Sequence, residues 1–126
     1  MSRNSSPKQH GFPKQVRLRK QAEFDRVFGG KAYAADDVLV MNGCWNELGQ
    51  TRIGLSVSRK VGNAVMRNRW KRLIREAFRL QQSELPRGLD IVIRPRRGAA
   101  PDFRSIRVSL RSLAERIVRK LPENRS

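Results

Sequence analysis

Residues 53–79 read IGLSVSRKVGNAVMRNRWKRLIREAFR, and this stretch decides the fold. Ile53, Leu55 and Val57 alternate with Gly54, Ser56 and Ser58, the period of a half-buried strand. Gly62 and Asn63 then break the alternation, one supplying backbone freedom and the other a side chain suited to capping a helix. From Asn63 to Gln81 the period is helical. Met66, Trp70, Leu73, Ile74 and Ala77 fall within about 100° of one another, with Phe78 at the edge. Arg67, Asn68, Lys71, Arg72, Arg75 and Arg79 take the other side, and Arg69 sits at the far flank. A strand that feeds a helix with one apolar face implies a sheet beneath that helix.

Working outward, Ser83–Gly88 is a loop and Leu89–Ile93 an apolar strand that Pro95 closes. A last helix starts near Pro101-Asp102 and carries Phe103, Ile106, Leu110, Leu113, Ile117 and Leu121 at three- and four-residue steps. Toward the N-terminus, Ala22, Phe24, Val27 and Phe28 mark a helix over 19–28 that Gly29-Gly30 ends. Lys31 to Asn46 reads as extended, centred on Val38 to Trp45. The turn Asn46–Gln50 joins it to the strand at 51–58 as a hairpin. The order helix, strands, helix, strand, helix makes an α/β sandwich in a single domain over 17–121. Residues 1–16, with Ser, Asn, Pro and Gly among basic residues and no apolar period, read as a disordered basic arm, and 122–126 as a short tail.

The 28 Lys+Arg against 11 Asp+Glu give a formal charge of +17, which favours a polyanionic partner over a small metabolite. The excess is patterned: +6 over 1–20, −3 over 21–51, +8 over 52–79, −1 over 80–93 and +7 over 94–126. Arginine outnumbers lysine 21 to 7, and a planar bidentate guanidinium suits phosphates and bases, so nucleic acid is favoured over a membrane surface. Apolar runs such as Val38–Met41 fall far short of the ~18 residues of a membrane span, and no signal-peptide core is visible, so a soluble, non-secreted, cytoplasmic protein is expected. Cys44, the single cysteine, reads as a small core or strand residue, and His10 has no partner for a zinc site. A row of arginines on a helix reads by itself equally well as a solvated face. Here nine basic residues in 52–79 meet only Glu76, a repulsion that phosphates would relieve.

The string Leu55-Ser56-Val57-Ser58-Arg59-Lys60-Val61-Gly62-Asn63-Ala64-Val65-Met66-Arg67-Asn68-Arg69, continued by Lys71 to Arg79, resembles the signature of the protein subunit of bacterial ribonuclease P. The likeness extends from about Arg17 to Lys120 through Glu23-Phe24-Asp25-Arg26-Val27-Phe28 and Gly88 to Pro95. It implies an αβββαβα fold with a central four-stranded mixed sheet. It also implies a left-handed crossover from 51–58 through 63–81 to 89–94, against the usual right-handed rule. The implied function is a ribonucleoprotein endonuclease that removes the 5′ leader from precursor tRNA, its chemistry done by Mg2+ held on the RNA subunit, with no protein-bound cofactor. By the same resemblance, Arg67, Asn68 and Arg69, with Lys71, Arg72 and Arg75 as neighbours, contact the catalytic RNA. Phe24, Phe28, Ser56, Ser58, Arg59 and Lys60 bind the leader, where aromatic rings stack on unpaired bases and cations follow the backbone. No obligate protein partner is implied.

Bland alternatives stand beside these roles: Phe24 and Phe28, an i, i+4 pair, fit a core, Trp70 fits burial, and Asn63 fits a helix cap. The chain departs from the family pattern at Gly29-Gly30 and Asp36-Asp37, where basic residues are common, and at Trp70, where an aliphatic residue is usual. Met41 stands where many members carry an aromatic residue on the cleft strand, and is expected to cost one stacking position. Rival readings are a protein nuclease built on Glu23/Asp25 or Asp36/Asp37, a structural RNA binder of ribosomal type, and a DNA-binding helix.

Overall fold

The structure, a computed structural model, describes residues 14–123. Three helices and four strands follow in the order α1 (Gln21–Gly29), β1 (Ala32–Ala35), β2 (Leu39–Trp45), β3 (Arg52–Leu55), α2 (Ala64–Gln81), β4 (Leu89–Pro95) and α3 (Phe103–Lys120). The sheet runs β1-β2-β4-β3. β1/β2 and β2/β4 are antiparallel and β3/β4 parallel, so the sheet is mixed and four-stranded as expected.

Two readings of the strands are corrected. The stretch 31–46 is not one extended segment. Asp36 accepts the amides of Val38 and Leu39, both at 2.9 Å, and the turn it makes folds β1 back onto β2. Nor do β2 and β3 form a hairpin, because β4 lies between them. Its register runs from Leu39↔Pro95 to Trp45↔Leu89 on one side and pairs Ile53 with Ile91 on the other. β4 takes the centre because Leu89, Ile91, Val92 and Ile93 are all fully buried, covered on both faces as an interior strand must be. β3 is also shorter than expected, ending at Leu55, although the Ser56 amide still donates to Ile93 O at 3.0 Å.

The inner face of the sheet packs on α2 and α3. Leu39, Met41, Ile53, Ile91 and Ile93 meet Trp70, Ile74 and Phe78 from α2 and Ile106, Leu110, Leu113 and Ile117 from α3. Burying each large aliphatic or aromatic side chain contributes about 1.5–3 kcal/mol. Met41 is therefore a core residue: alternation along β2 sends it inward, and it leaves no gap in a cleft on the other face. Trp70 is fully buried, as its place in the stripe suggested. Met66, assigned to the same stripe, is instead exposed in the first turn of α2.

The helix ends follow from local chemistry. Asn63 Oδ1 accepts the Met66 amide at 2.9 Å and Asp102 Oδ2 the Ser105 amide at 2.9 Å, each capping its helix. Gly62, at φ +145°, takes a conformation closed to other residues, so the chain can turn from the strand into α2.

The expected arm lies outside the described residues over 1–13. Its last part is ordered: Lys14–Val16 form a 3-10 turn, Val16 is buried in the main core, and Arg17 bridges Ile53 at the free edge of β3. Of the expected tail, 124–126 lie outside the described residues, and Pro122 O accepts the Trp45 indole N–H at 2.6 Å.

Candidate nucleic-acid interface

Two surfaces emerge, one on α2 and one on the outer face of the sheet. On α2, Asn68, Arg69 and Arg72 are exposed, while Arg67, Lys71 and Arg75 are half-buried with their stems along the helix. Arg67 donates from Nη1 to Gly62 O at 3.1 Å, which fixes its guanidinium at the helix entry beside Asn68 and Arg69. No acid stands in the first turn, so the Arg67 charge at the helix entry meets the positive end of the helix dipole uncompensated. Burial, and then the neighbouring Arg17 charge, lowers the Arg75 pKa. Arg79, by contrast, is held by Glu76 at 2.6 and 3.1 Å and is raised by that bond. The predicted RNA-facing row is thus one continuous basic surface from Arg67 to Arg75 that ends where Arg79 is neutralised.

On the outer face of the sheet, α1 covers only part of the strands. Leu18, Val27 and Val92 form a small second core with Phe24 and Cys44 against it. Burial raises the pKa of the Cys44 thiol, the largest of several effects, so it is a packed strand residue. Phe24 lies over Gly54: a Cβ built there would come within 2.6 Å of Phe24 Cζ, so the missing side chain is the ring's seat. Phe28, one turn on, is 39% exposed, with Arg94 Cζ 5.7 Å from its ring centroid. The pair therefore divides between the two readings, Phe24 packed against the sheet and Phe28 open at the rim.

Beyond Phe28 the face is uncovered. Arg94 donates to Asn42 Oδ1 at 3.0 Å, and Tyr33 on β1, 48% exposed, has Lys120 Nζ 5.7 Å from its ring. An open cavity of about 340 Å³ adjoins this face, lined by Ser56, Ser58, Lys60, Val61, Arg94, Pro95 and Arg97. Three of the predicted leader residues, Ser56, Ser58 and Lys60, thus meet around one space. Arg59 shares the 3-10 turn Arg59–Val61, which Ser58 Oγ caps by accepting the Lys60 amide at 3.2 Å, but Arg59 does not line the cavity. Tyr33, Asn42, Arg94 and Arg97 were missed. The alternation of Asp90, Val92 and Arg94 along β4 was the signal that places Arg94 on the outer face. A larger cavity, about 550 Å³, lies at the opposite end of the sheet by Thr51, Arg79 and Arg87 and holds none of the expected residues.

Of the acidic residues considered for a protein nuclease, Glu23 and Asp36 are engaged structurally, and Asp25 Oδ1 accepts Gln21 Nε2 at 2.8 Å. Glu23 Oε1 accepts the amides of Arg19 and Lys20 at 2.9 and 3.0 Å, and these bonds lower its pKa. Asp36 is pushed up by burial. The Ser109 hydroxyl, the Leu39 and Val38 amides and the Arg116 charge outweigh that push, so its pKa is lowered overall. Among the described residues no three His, Cys, Asp or Glu side chains converge as a metal ion would need.

The family described as Ribonuclease P matches residues 12–118. The ribonuclease P protein component of Lachnoclostridium phytofermentans is 45% identical over 100 residues, covering 78% of this chain and 85% of its own. That of Serratia proteamaculans is 41% identical over 113 residues, covering 88% and 94%. The structure of the Staphylococcus aureus ribonuclease P protein superposes with a TM-score of 0.71 at 35% identity, covering 79% of this chain and 93% of that one. The Thermotoga maritima protein superposes with a TM-score of 0.71 at 33% identity, covering 79% and 96%.

Proposed function

The chain belongs to the ribonuclease P protein family, and from that membership we propose that its two basic surfaces serve two different RNAs during removal of the 5′ leader from precursor tRNA. As a family member it is a component of an endoribonuclease complex with an RNA partner. The observation that carries the finer reading is the separation of the surfaces. The Arg67–Arg75 row lies on the solvent side of α2, whereas the aromatic cleft lies on the outer face of the sheet, and the core packs between them.

The catalytic RNA is the partner of Arg67, Asn68, Arg69, Lys71, Arg72 and Arg75, because a folded RNA offers many closely spaced phosphates to a rigid row of cations. The leader, a single strand, lies in the cleft. Phe28 and Tyr33 offer stacking faces to bases of any identity, while Arg94, Arg97 and Lys60, with the hydroxyls of Ser56 and Ser58, follow its phosphates. Arg59 borders this path, and Phe24 supports it from beneath. Such a site is permissive by construction, as leaders of varied sequence require.

The protein's part is to bind and orient. Magnesium ions on the RNA subunit would supply the hydrolytic chemistry, since this chain commits Glu23, Asp36, Asp90 and Asp102 to its own turns, caps and ion pairs. No described helix is long and apolar enough to cross a membrane, and the cytoplasm, where tRNA precursors are made, is the proposed compartment. Reconstitution tests the reading: purified protein, RNA subunit and both together are given labelled precursor tRNA and magnesium. Cleavage at the mature 5′ end only when the RNA subunit is present supports it. Cleavage by the protein alone, or association with ribosomal subunits and no effect on the precursor, would overturn it.

A further inference from the structure

Asp90 is fully buried on the outer side of β4, beneath α1. Its Oδ1 accepts Arg52 Nε and Asn46 Nδ2, both at 2.8 Å, and its Oδ2 accepts Arg52 Nη2 at 2.7 Å and Arg26 Nη2. Arg26 reaches down from the middle of α1, and its Nη1 also donates to Trp45 O at 3.2 Å and Cys44 Sγ at 3.1 Å. Arg52 Nη1 meets Glu23 Oε2 at 3.3 Å, and the other oxygen of Glu23 caps the start of α1. One carboxylate therefore ties both turns of α1 to β3 and β4.

The apolar contact beneath α1 is small, Leu18, Val27 and Val92 with Phe24 and Cys44. Such contact is non-directional and would let a short helix slide or rotate on the sheet. Hydrogen bonds between charged groups are directional and fix a geometry. A buried ion pair adds little stability over a well-packed apolar substitute, so its use here points to geometry. Phe28 lies two residues beyond Arg26, and Arg94 lies four beyond Asp90 on the same face of the same strand.

We propose that Asp90 is the positioning residue of the cleft: through Arg26 and Arg52 it sets the height and rotation of α1, and so the gap between the Phe28 ring and Arg94. This rests on the reading of that cleft as the leader site. The clamp does not touch α2, so it acts on the leader without acting on the RNA subunit.

The test uses the complex reconstituted from full-length protein and RNA subunit, comparing affinity for precursor tRNA with that for mature tRNA. The Arg26 side chain is 46% exposed, so Arg26→Gln leaves the core intact. Arg26→Gln and Asp90→Asn are each expected to cut the preference for precursor by about three- to tenfold. Affinity for the RNA subunit stays at the unsubstituted value, and Arg26→Lys, which keeps a cation within reach of Asp90, restores most of the preference. Because Asp90 has no exposed surface, a weaker preference in Asp90→Asn cannot come from a side chain that itself touches the leader. Should Asp90→Asn fail to fold, Glu23→Gln replaces it, breaking the clamp at the end of α1 away from Phe28, with a smaller loss in the same direction. An unchanged preference in these variants, with Phe28→Ala losing it, overturns the positioning role and leaves the leader site standing. An unchanged preference in Phe28→Ala as well brings down the leader reading and the positioning role with it.

Discussion

Gly54→Ala probes how the aromatic helix is seated. The new Cβ would lie 2.6 Å from Phe24 Cζ, 2.9 Å from Phe24 Cε2 and 3.0 Å from Leu18 Cβ. Carbon atoms pack at about 3.5–4.0 Å, so the contact must open by about 1 Å. Leu18 has little freedom to give way, since its amide donates to Ile53 O at 2.8 Å. The Phe24 ring must lift instead, and it tilts α1, which carries Phe28 one turn further on. Overpacking of this kind costs about 1–3 kcal/mol. In a chain of this size that is a fall in Tm of roughly 3–6 °C per kcal/mol. Thermal melts of the free protein, paired with precursor and mature tRNA affinities of the reconstituted complex, should show both a lower Tm and a lower preference for precursor. Gly43→Ala is the control. Its Cβ would meet Ile117 Cγ2 at 2.8 Å and Ile91 Cγ2 at 3.1 Å on the inner face, so stability should fall while the preference for precursor holds. Wild-type stability and preference in Gly54→Ala would refute the seating of Phe24 on Gly54, and equal loss of preference in both variants would refute the link from that seat to the leader.

Arg67→Ala or Arg69→Ala should weaken binding to the RNA subunit and reduce the slope of log K against log salt by about 0.7–0.9 for each phosphate no longer neutralised, measured by titration at several salt concentrations. An unchanged slope removes phosphate contact from their roles. Phe28→Ala should weaken precursor tRNA and spare mature tRNA, whereas equal loss for both would assign the exposed ring to folding alone. Stability should depend on acid in a defined window. Glu23, held down by the Lys20 and Arg19 amides, and Asp36, lowered on balance by Ser109, Leu39 and Val38 against its burial, both titrate lower in the folded chain than unfolded. Their contribution is full above the unfolded carboxylate range near pH 4 and is lost as pH falls through the folded values, so urea midpoints should be level from about pH 7 to 5 and drop below about pH 4. A drop that begins above pH 5 would contradict those bonds.

Much of this arrangement could be read from the chain because the decisive features are local. The α2 stripe, the Asn63 and Asp102 caps and the apolar positions Leu89, Ile91, Val92 and Ile93 of β4 each depend on residues within a few positions of one another. What the sequence hid depends on distant partners. Asp36 makes its turn with neighbouring amides but is held by the Ser109 hydroxyl, 73 residues later, so Asp36-Asp37 read only as a departure from the family pattern when Asp36 is a turn cap. The hairpin expectation failed because nothing between Trp45 and Arg52 announces that β4 will enter between their strands. Met41 was assigned to the wrong face because strand sides alternate and a single step reverses them. Phe24 and Phe28 share a helix face, and only the bare Gly54 beneath one of them separates a packed ring from an open one.

Site-specific photocrosslinking asks whether the protein presents one surface to each of two RNAs, as proposed. A photoreactive phenylalanine analogue is placed at Phe28 in one preparation and at Asn68 in another, each assembled with RNA subunit and precursor tRNA, irradiated, and the crosslinked nucleotides mapped. Crosslinks are expected from position 28 to precursor nucleotides on the 5′ side of the cleavage site and from position 68 to the RNA subunit. Both positions crosslinking to the same RNA, or each to the other's partner, would contradict the proposal.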